Sequence, residues 1–128
     1  AQFGDVALLG FSPPDPQAVH LPGDSLPLLL LWQALGQPDG ELRVSFWLEG
    51  KREVPLGEEP VGGRFPTERW VEGQVVRQWP AVSLPQGAPP GSYRLKMRVT
   101  RDGRPVPWGC WLVPLGSDLD LGPVQVGP

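Results

Sequence analysis

The sequence predicts an all-β protein, an antiparallel immunoglobulin-like β-sandwich of about seven to nine strands. Three observations support this fold class. Apolar and polar residues alternate in short runs, as they do in strands that have one buried and one wet face. The 18 Pro and 17 Gly residues gather between these runs and supply turns. Pro also recurs too often for any long segment to repeat apolar residues at helical spacing.

The alternation is clearest in LRVSFWLE, residues 42–49, and SYRLKMRVT, residues 92–100, where every second side chain is apolar. Tyr93 opens the second of these strands behind a turn that contains Gly91. In β-sandwiches such a Tyr closes a corner, so we predict that its hydroxyl bonds to backbone within residues 83–88. The other predicted strands are 5–11, 25–33, 53–56, 74–79, 106–113 and 119–126.

Three segments have special positions in this scheme. The run 28–32, which ends in Trp32, is apolar on both faces, so it is either a central strand covered on both sides or part of an oligomer contact. Pro105 and Pro107 place strand 106–113 at a sheet edge, because Pro cannot donate to a ladder. Residues 113–128 either add a last strand or form a loose tail. The whole chain, 1–128, fits a single domain.

Composition and charge exclude several functions. A net charge of −3 without a basic block gives nucleic acid no electrostatic footprint. The single Cys, Cys110, excludes an internal disulfide, and Cys110 and His20 are too few ligands for a transition metal. We expect His20 to lie at the surface in a Pro-rich loop. The excess of Arg over Lys, with abundant loop Pro, occurs in some families of thermostable proteins.

No residue pattern predicts catalysis, a metal site or a cofactor. Glu58 and Glu59 are candidates for the carboxylate pair of a glycosidase, but they fall in a Pro/Gly-rich loop rather than on a strand that would hold them rigid. Asp118 and Asp120 have a spacing that calcium sites use, but further oxygen ligands are lacking nearby. We therefore expect solvated carboxylates and no enzyme activity.

Four residues are candidates for contact with a ligand or a partner. Trp47 lies on the polar face of its strand, where it packs under an Arg or a loop, fills a protein interface or stacks on a glycan. Arg64, Arg69 and Trp70 belong to VGGRFPTERW, residues 61–70. We interpret this segment as a crossover between the two sheets that Trp70 anchors. If the segment binds a ligand, those three residues are the ones expected to contact it.

Three segments, taken in order, resemble a known family: LPGDSLPLLLLWQAL (21–35), PVGGRFPTERWVEGQVV (60–76) and LPQGAPPGSYRLKMRV (84–99). They are similar to the C-terminal β-sandwich domain of bacterial multi-pass membrane proteins of the glycosyltransferase, protein-mannosyltransferase-like kind. The similarity covers residues 4–108 and is weaker in the hairpin at 48–56. It implies an extracytoplasmic module, periplasmic or at the cell surface, beside an upstream membrane region. It carries over no catalytic residue.

The chain opens with Ala1 rather than Met, so we expect a fragment or a processed form. We predict a non-catalytic extracytoplasmic accessory or interaction domain that contacts a protein partner or the upstream membrane region. The alternative is a carbohydrate-binding module that uses exposed Trp residues. Two or three coplanar exposed Trp rings would favour the glycan, and a large apolar patch would favour the protein. The oligomeric state is left open.

Overall fold

A computed structural model describes residues 1–37, 40–110 and 113–128 of the chain. These residues form twelve β-strands and one single-turn 3₁₀ helix, Thr67–Arg69. The strands are β1 Gln2–Phe3, β2 Val6–Ser12, β3 Val19–His20, β4 Leu29–Ala34, β5 Leu42–Glu49, β6 Glu53–Pro60, β7 Val75–Gln78, β8 Gly91–Arg101, β9 Arg104–Pro105, β10 Trp108–Cys110, β11 Val113–Gly116 and β12 Asp118–Val126.

The strands make two sheets. Sheet A has the order β11-β10-β1-β2-β4-β7, and sheet B has the order β3-β12-β8-β5-β6, with β9 added to β8. Neighbours are antiparallel except for β3, which pairs with β12 in parallel. The predicted all-β fold of two packed sheets is confirmed. The immunoglobulin-like assignment stays a prediction.

The inner faces of the two sheets meet in one hydrophobic core. From sheet A, β4 contributes Leu30, Trp32 and Ala34, and from sheet B, β8 contributes Leu95 and Met97, all essentially buried. These positions alternate with wetter ones along each strand, as the period of two requires. Phe3 packs edge-on against Trp32 at a centroid distance of 6.2 Å. Trp32, for which the sequence predicted a structural role, packs in the core.

Several predicted strand boundaries are wrong. The strand predicted at 25–33 begins only at Leu29, because the amide of Leu26 donates to Val82 rather than to a sheet neighbour. The strand predicted at 53–56 continues to Pro60, because β5 pairs with it over its whole length. A β-bulge at Gly57, with φ of 111°, keeps the two strands in step.

The strand predicted at 106–113 is divided. Arg104–Pro105 pairs with β8 in sheet B, whereas Trp108–Cys110 pairs with β1 in sheet A, so the chain changes sheets around Pro107. The edge position predicted from the two Pro residues is also wrong, since β10 lies between β1 and β11. Residues 111 and 112 of this prediction lie outside the described part of the chain.

The C-terminal segment adds the last strand. Over its length β12 pairs with β8, and Leu121, Val124 and Val126 enter the core. Its far edge pairs with β3, where Val126 lies opposite His20. The prediction of a surface His20 is therefore wrong: the side chain is 8% exposed, and a two-residue strand is too short for periodicity to reveal.

The Tyr93 corner forms with a different acceptor from the one predicted. The hydroxyl donates to the carbonyl oxygen of Pro89 at 2.7 Å, just beyond the predicted window of 83–88. Pro89 precedes the turn through Gly91, where β8 begins, and this turn brings its carbonyl within reach of the phenol. The structural role predicted for Tyr93 is kept, and the acceptor is corrected.

Candidate functional site

The connection between the two sheet edges, residues 61–74, is the crossover that the sequence predicted. It leaves β6 at the edge of sheet B and enters β7 at the edge of sheet A. Trp70 is 1% exposed, and its indole N–H donates to the carbonyl of Phe65 at 2.7 Å. Gly62, with φ of 85°, lies against this indole, so the reversal needs a residue without a Cβ. The crossover anchored by Trp70 is confirmed.

Gln78 fastens this crossover to both sheets. Its carbonyl oxygen accepts hydrogen bonds from the indole of Trp32 and from the backbone amide of Gly62, both at 2.9 Å. Its amide nitrogen donates to the Glu59 carboxylate at 2.6 Å and to the Pro60 carbonyl at 3.0 Å. The residue is 3% exposed, and these bonds use both polar atoms of its side chain.

An open groove of about 730 Å³ lies beside this junction. We call it the β7 groove; its lining comprises Glu59, Pro60, residues 62–65, residues 77–79 and Ala81. Arg64, Arg77 and Trp79 are exposed there, and Trp79, at 68%, is the most exposed large apolar residue in the described part of the chain. Neither Arg forms a salt bridge with the described residues.

The one carboxylate in the groove is already engaged. One Glu59 oxygen accepts from Gln78, and the other accepts from the backbone amide of Ala81 at 3.1 Å. The groove thus combines a flat aromatic surface with two guanidinium groups that form no salt bridge with a described acid. Such a surface can stack on an apolar ring face and can bind an anion through Arg.

The four residues predicted to contact a ligand or partner lie in different places and differ in exposure. Arg64 lines the β7 groove, whereas Arg69 is exposed on the 3₁₀ helix outside it. Trp70 is buried and offers no surface. Trp47 is 9% exposed beneath Arg98, whose guanidinium carbon lies 5.1 Å from the ring centroid, beside a shallow depression of about 340 Å³. Of the interpretations offered for Trp47, the structure matches packing under an Arg.

Sequence reasoning missed Arg77 and Trp79 as members of the site. A signal was present, because Val75, Arg77 and Trp79 alternate with the buried Val76 and Gln78. That alternation places the first three on the outer side of an edge strand. What the sequence could not supply was the position of the crossover beside them.

The outer face of sheet B is covered by ion pairs. Arg94 binds Asp120 at 3.0 Å, Arg98 binds Asp118 at 2.7 Å, and Arg43 binds Glu41 and Glu58 at 3.1 Å each. Hydrogen bonding to Asp118 raises the pKa of Arg98, and hydrogen bonding to Glu41 raises the pKa of Arg43. These charges therefore satisfy one another across neighbouring strands.

The outer face of sheet A is different. Over β2, β4 and β7 it presents residues that lie opposite one another or next along a strand: Ala7, Gly10, Ser12, Leu29, Leu31, Gln33, Val75 and Arg77. Arg77 is the single charged residue of this set, and Leu29 and Leu31 are half-buried. Through Ala7 and Gly10 the face continues into a mostly apolar cleft of about 830 Å³ that also contacts Leu9, Phe11 and Trp108.

The described side chains do not assemble a catalytic or metal centre of the kinds considered from the sequence. Glu58 and Glu59 lie on β6, not in a loop as predicted, and as strand neighbours they point apart, to Arg43 and to Gln78. In the described part of the chain no group of three or more His, Cys, Asp or Glu side chains could hold a metal ion. Asp118 and Asp120 are occupied by Arg98 and Arg94.

No protein-family model matches this chain, and no curated protein is significantly similar to it in sequence. The family resemblance of the three segments therefore stays a prediction. Within residues 1–37, 40–110 and 113–128, no helix is long and apolar enough to cross a membrane.

Proposed function

We propose that this chain is a non-catalytic interaction domain that binds a protein partner on the outer face of sheet A. The observation that carries the proposal is the contrast between the two outer faces. Sheet B presents charges that are already paired. Over β2, β4 and β7, sheet A presents Leu29, Leu31 and Val75 beside two uncharged polar residues and a single charged one, Arg77. Antiparallel sheets usually expose a polar outer face, and an extended apolar one marks an interaction surface.

The energetics favour sheet A for binding. Covering Leu29 and Leu31 removes apolar area from water, at about 25 cal/mol per Å². Covering sheet B would instead desolvate ionised groups such as Asp120 and Arg94, which is costly unless a partner replaces every bond. The carboxylates considered for catalysis serve structural bonds, which supports a non-catalytic role.

The location is part of the same proposal. We infer an extracytoplasmic module beside an upstream membrane region, and the support for it is the resemblance of residues 21–35, 60–76 and 84–99. This part of the proposal makes the membrane region of the same protein one candidate partner.

Site-specific photo-crosslinking tests the protein contact. A benzophenone amino acid placed at Leu31, on sheet A, should yield one discrete protein adduct in the cells that make the chain. The matched control is Ser45, half-buried on the outer face of sheet B. Equal adducts from both positions, or none from Leu31, would contradict the proposal.

Carbohydrate binding is the second candidate function, and the observation that favours it is Trp79 in the β7 groove. An exposed indole beside polar groups is a common platform for a sugar face. Among the described Trp residues only Trp79 is largely exposed, so the set of coplanar rings that would favour a glycan over a protein is not formed there. Carbohydrate binding therefore ranks second.

A further inference from the structure

The β7 groove has the size and shape of a small-ligand site. Its volume of about 730 Å³ lies within the range that such sites usually have. One side is the end of β7 with Trp79, and the other is the crossover with Gly62 and Gly63. The amides of Gly62 and Gly63 already donate, to the Gln78 side chain and to the Pro60 carbonyl, so the exposed side chains of the groove supply its contacts to a ligand.

The charge of the groove indicates what kind of ligand it takes. Arg64 and Arg77 are both exposed and have no salt bridge to any described acid, while Glu59 is tied to Gln78 and Ala81. On sheet B, Arg43, Arg94 and Arg98 pair with carboxylates, whereas the other arginines form no described salt bridge. What distinguishes Arg64 and Arg77 among these is that both line one groove beside the exposed Trp79. The two groove guanidiniums can therefore receive a carboxylate from a ligand, in the bidentate way that Arg favours.

We propose that the β7 groove binds an acidic saccharide, in which one sugar ring stacks on Trp79 and carboxylates pair with Arg64 and Arg77. This inference rests on carbohydrate binding, the second candidate function. A peptide that extends sheet A is the competing occupant. It is disfavoured because β7 is a four-residue edge that runs into Pro80, which has no N–H to offer.

Isothermal titration calorimetry with the intact chain tests the proposal. The ligands are a galacturonic acid hexamer, a neutral galactose hexamer and hexaglutamate. The acidic sugar should bind more tightly than the other two, and its binding should weaken as salt is added. Trp79→Ala, Arg64→Gln and Arg77→Gln should each weaken it by about tenfold or more, the effect of losing one stacking or charge-assisted contact.

Two variants serve as controls. Arg52→Gln removes an exposed Arg from the β5–β6 hairpin, at the end of β6 away from Glu59, and should leave affinity unchanged. Trp79→Phe keeps an aromatic face and should bind better than Trp79→Ala. Because the altered side chains are exposed, each variant should keep the thermal midpoint of the parent chain.

Each outcome is decisive. Equal affinity for the neutral hexamer, with no effect of either Arg variant, overturns the acidic inference but leaves carbohydrate binding standing. Hexaglutamate bound as tightly as the sugar acid overturns the inference in favour of a peptide. No binding of either sugar overturns both the inference and the second candidate function, without touching the protein contact proposed for sheet A.

Discussion

At the scale of single residues, the buried side chain of Gln78 makes four hydrogen bonds that join the crossover to both sheets. Gln78→Ala would leave the indole N–H of Trp32 and the amide of Gly62 without acceptors in a buried place. Each such group costs about 1–3 kcal/mol, so for the two together we expect the free energy of unfolding to fall by about 2–6 kcal/mol in urea titrations. Gln17→Ala, at an exposed Gln, is the control. A loss of under about 0.5 kcal/mol, as at an ordinary surface site, would contradict this role.

Gly62 and Gly73 form a matched pair for separating backbone strain from steric conflict. Both have φ of 85°, but a Cβ at Gly73 meets open space, whereas one at Gly62 would collide with the Phe65 carbonyl and lie 2.7 Å from the Trp70 ring. We expect Gly73→Ala to cost about 1–2 kcal/mol from the left-handed backbone alone. Gly62→Ala should cost clearly more, measured as urea midpoints. Equal losses would show that the crossover yields around the added methyl.

At the scale of elements, the ion pair between β8 and β12 makes the free energy of unfolding depend on pH in the acidic range. Partial burial acts to raise the pKa of Asp120, but hydrogen bonds from Arg94 and the Gly122 amide, with the charge of Lys96, outweigh it and hold the pKa below its ordinary value. A carboxylate whose pKa is lower in the folded chain than in the unfolded chain stabilises the fold fully at pH values above its unfolded-state pKa. That stability is lost as the pH falls through the folded pKa.

Asp120→Asn should therefore lower the free energy of unfolding at pH 7. It should also make the loss of stability between pH 7 and low pH smaller than in the parent chain. The pair is partly exposed, so we expect an effect of about 1 kcal/mol or less at pH 7. Urea unfolding at pH 7 and at about pH 3 measures both quantities. Glu72→Gln, at an exposed acid without a described ion pair, provides the comparison. If Asp120→Asn lost as much stability on acidification as the parent chain does, the Asp120–Arg94 ion pair would not be the source of the acid sensitivity.

At the scale of the whole molecule, the two ends of the chain are woven into both sheets. β1 pairs with β10 in sheet A, and β3 pairs with β12 in sheet B, so in each sheet a strand from the N-terminal part of the chain pairs with one from the C-terminal part around one core. We expect a single cooperative unfolding transition, with midpoints by far-UV circular dichroism and Trp fluorescence that coincide. A separate, earlier fluorescence transition would show that one sheet unfolds before the other.

Much of this architecture could be predicted from local pattern. The alternation in 42–49 and 92–100 is written into consecutive residues, and it identifies strands and their buried faces without any partner. The crossover was also predictable, because Gly-Gly, Pro66 and Trp70 each restrict a short stretch of chain. The two-residue strands β1, β3 and β9 were not, since two residues carry no measurable period.

The site depended on the fold in a way that no local pattern expresses. Arg64 and Trp79 are 15 residues apart in the numbering, and they share a groove only because β6 and β7 close the same side of the sandwich. Trp47 and Trp79 follow similar polar contexts in sequence, yet Arg98 covers the first and nothing described covers the second. The exposure of a side chain depends on which residues pack against it in the fold, so the sequence could not show which Trp residues are available for contact.

What the sequence by itself determined is the β class, the faces of the long strands and the anchoring of the crossover, because short-range stereochemistry and hydrophobic period suffice for these. Tertiary structure alone decided which strands are neighbours in each sheet, that His20 is buried, and that Arg64 and Arg77 line the same groove as the exposed Trp79. These follow from strand pairing between distant segments, and the register of such pairing is set by the packing of the whole core.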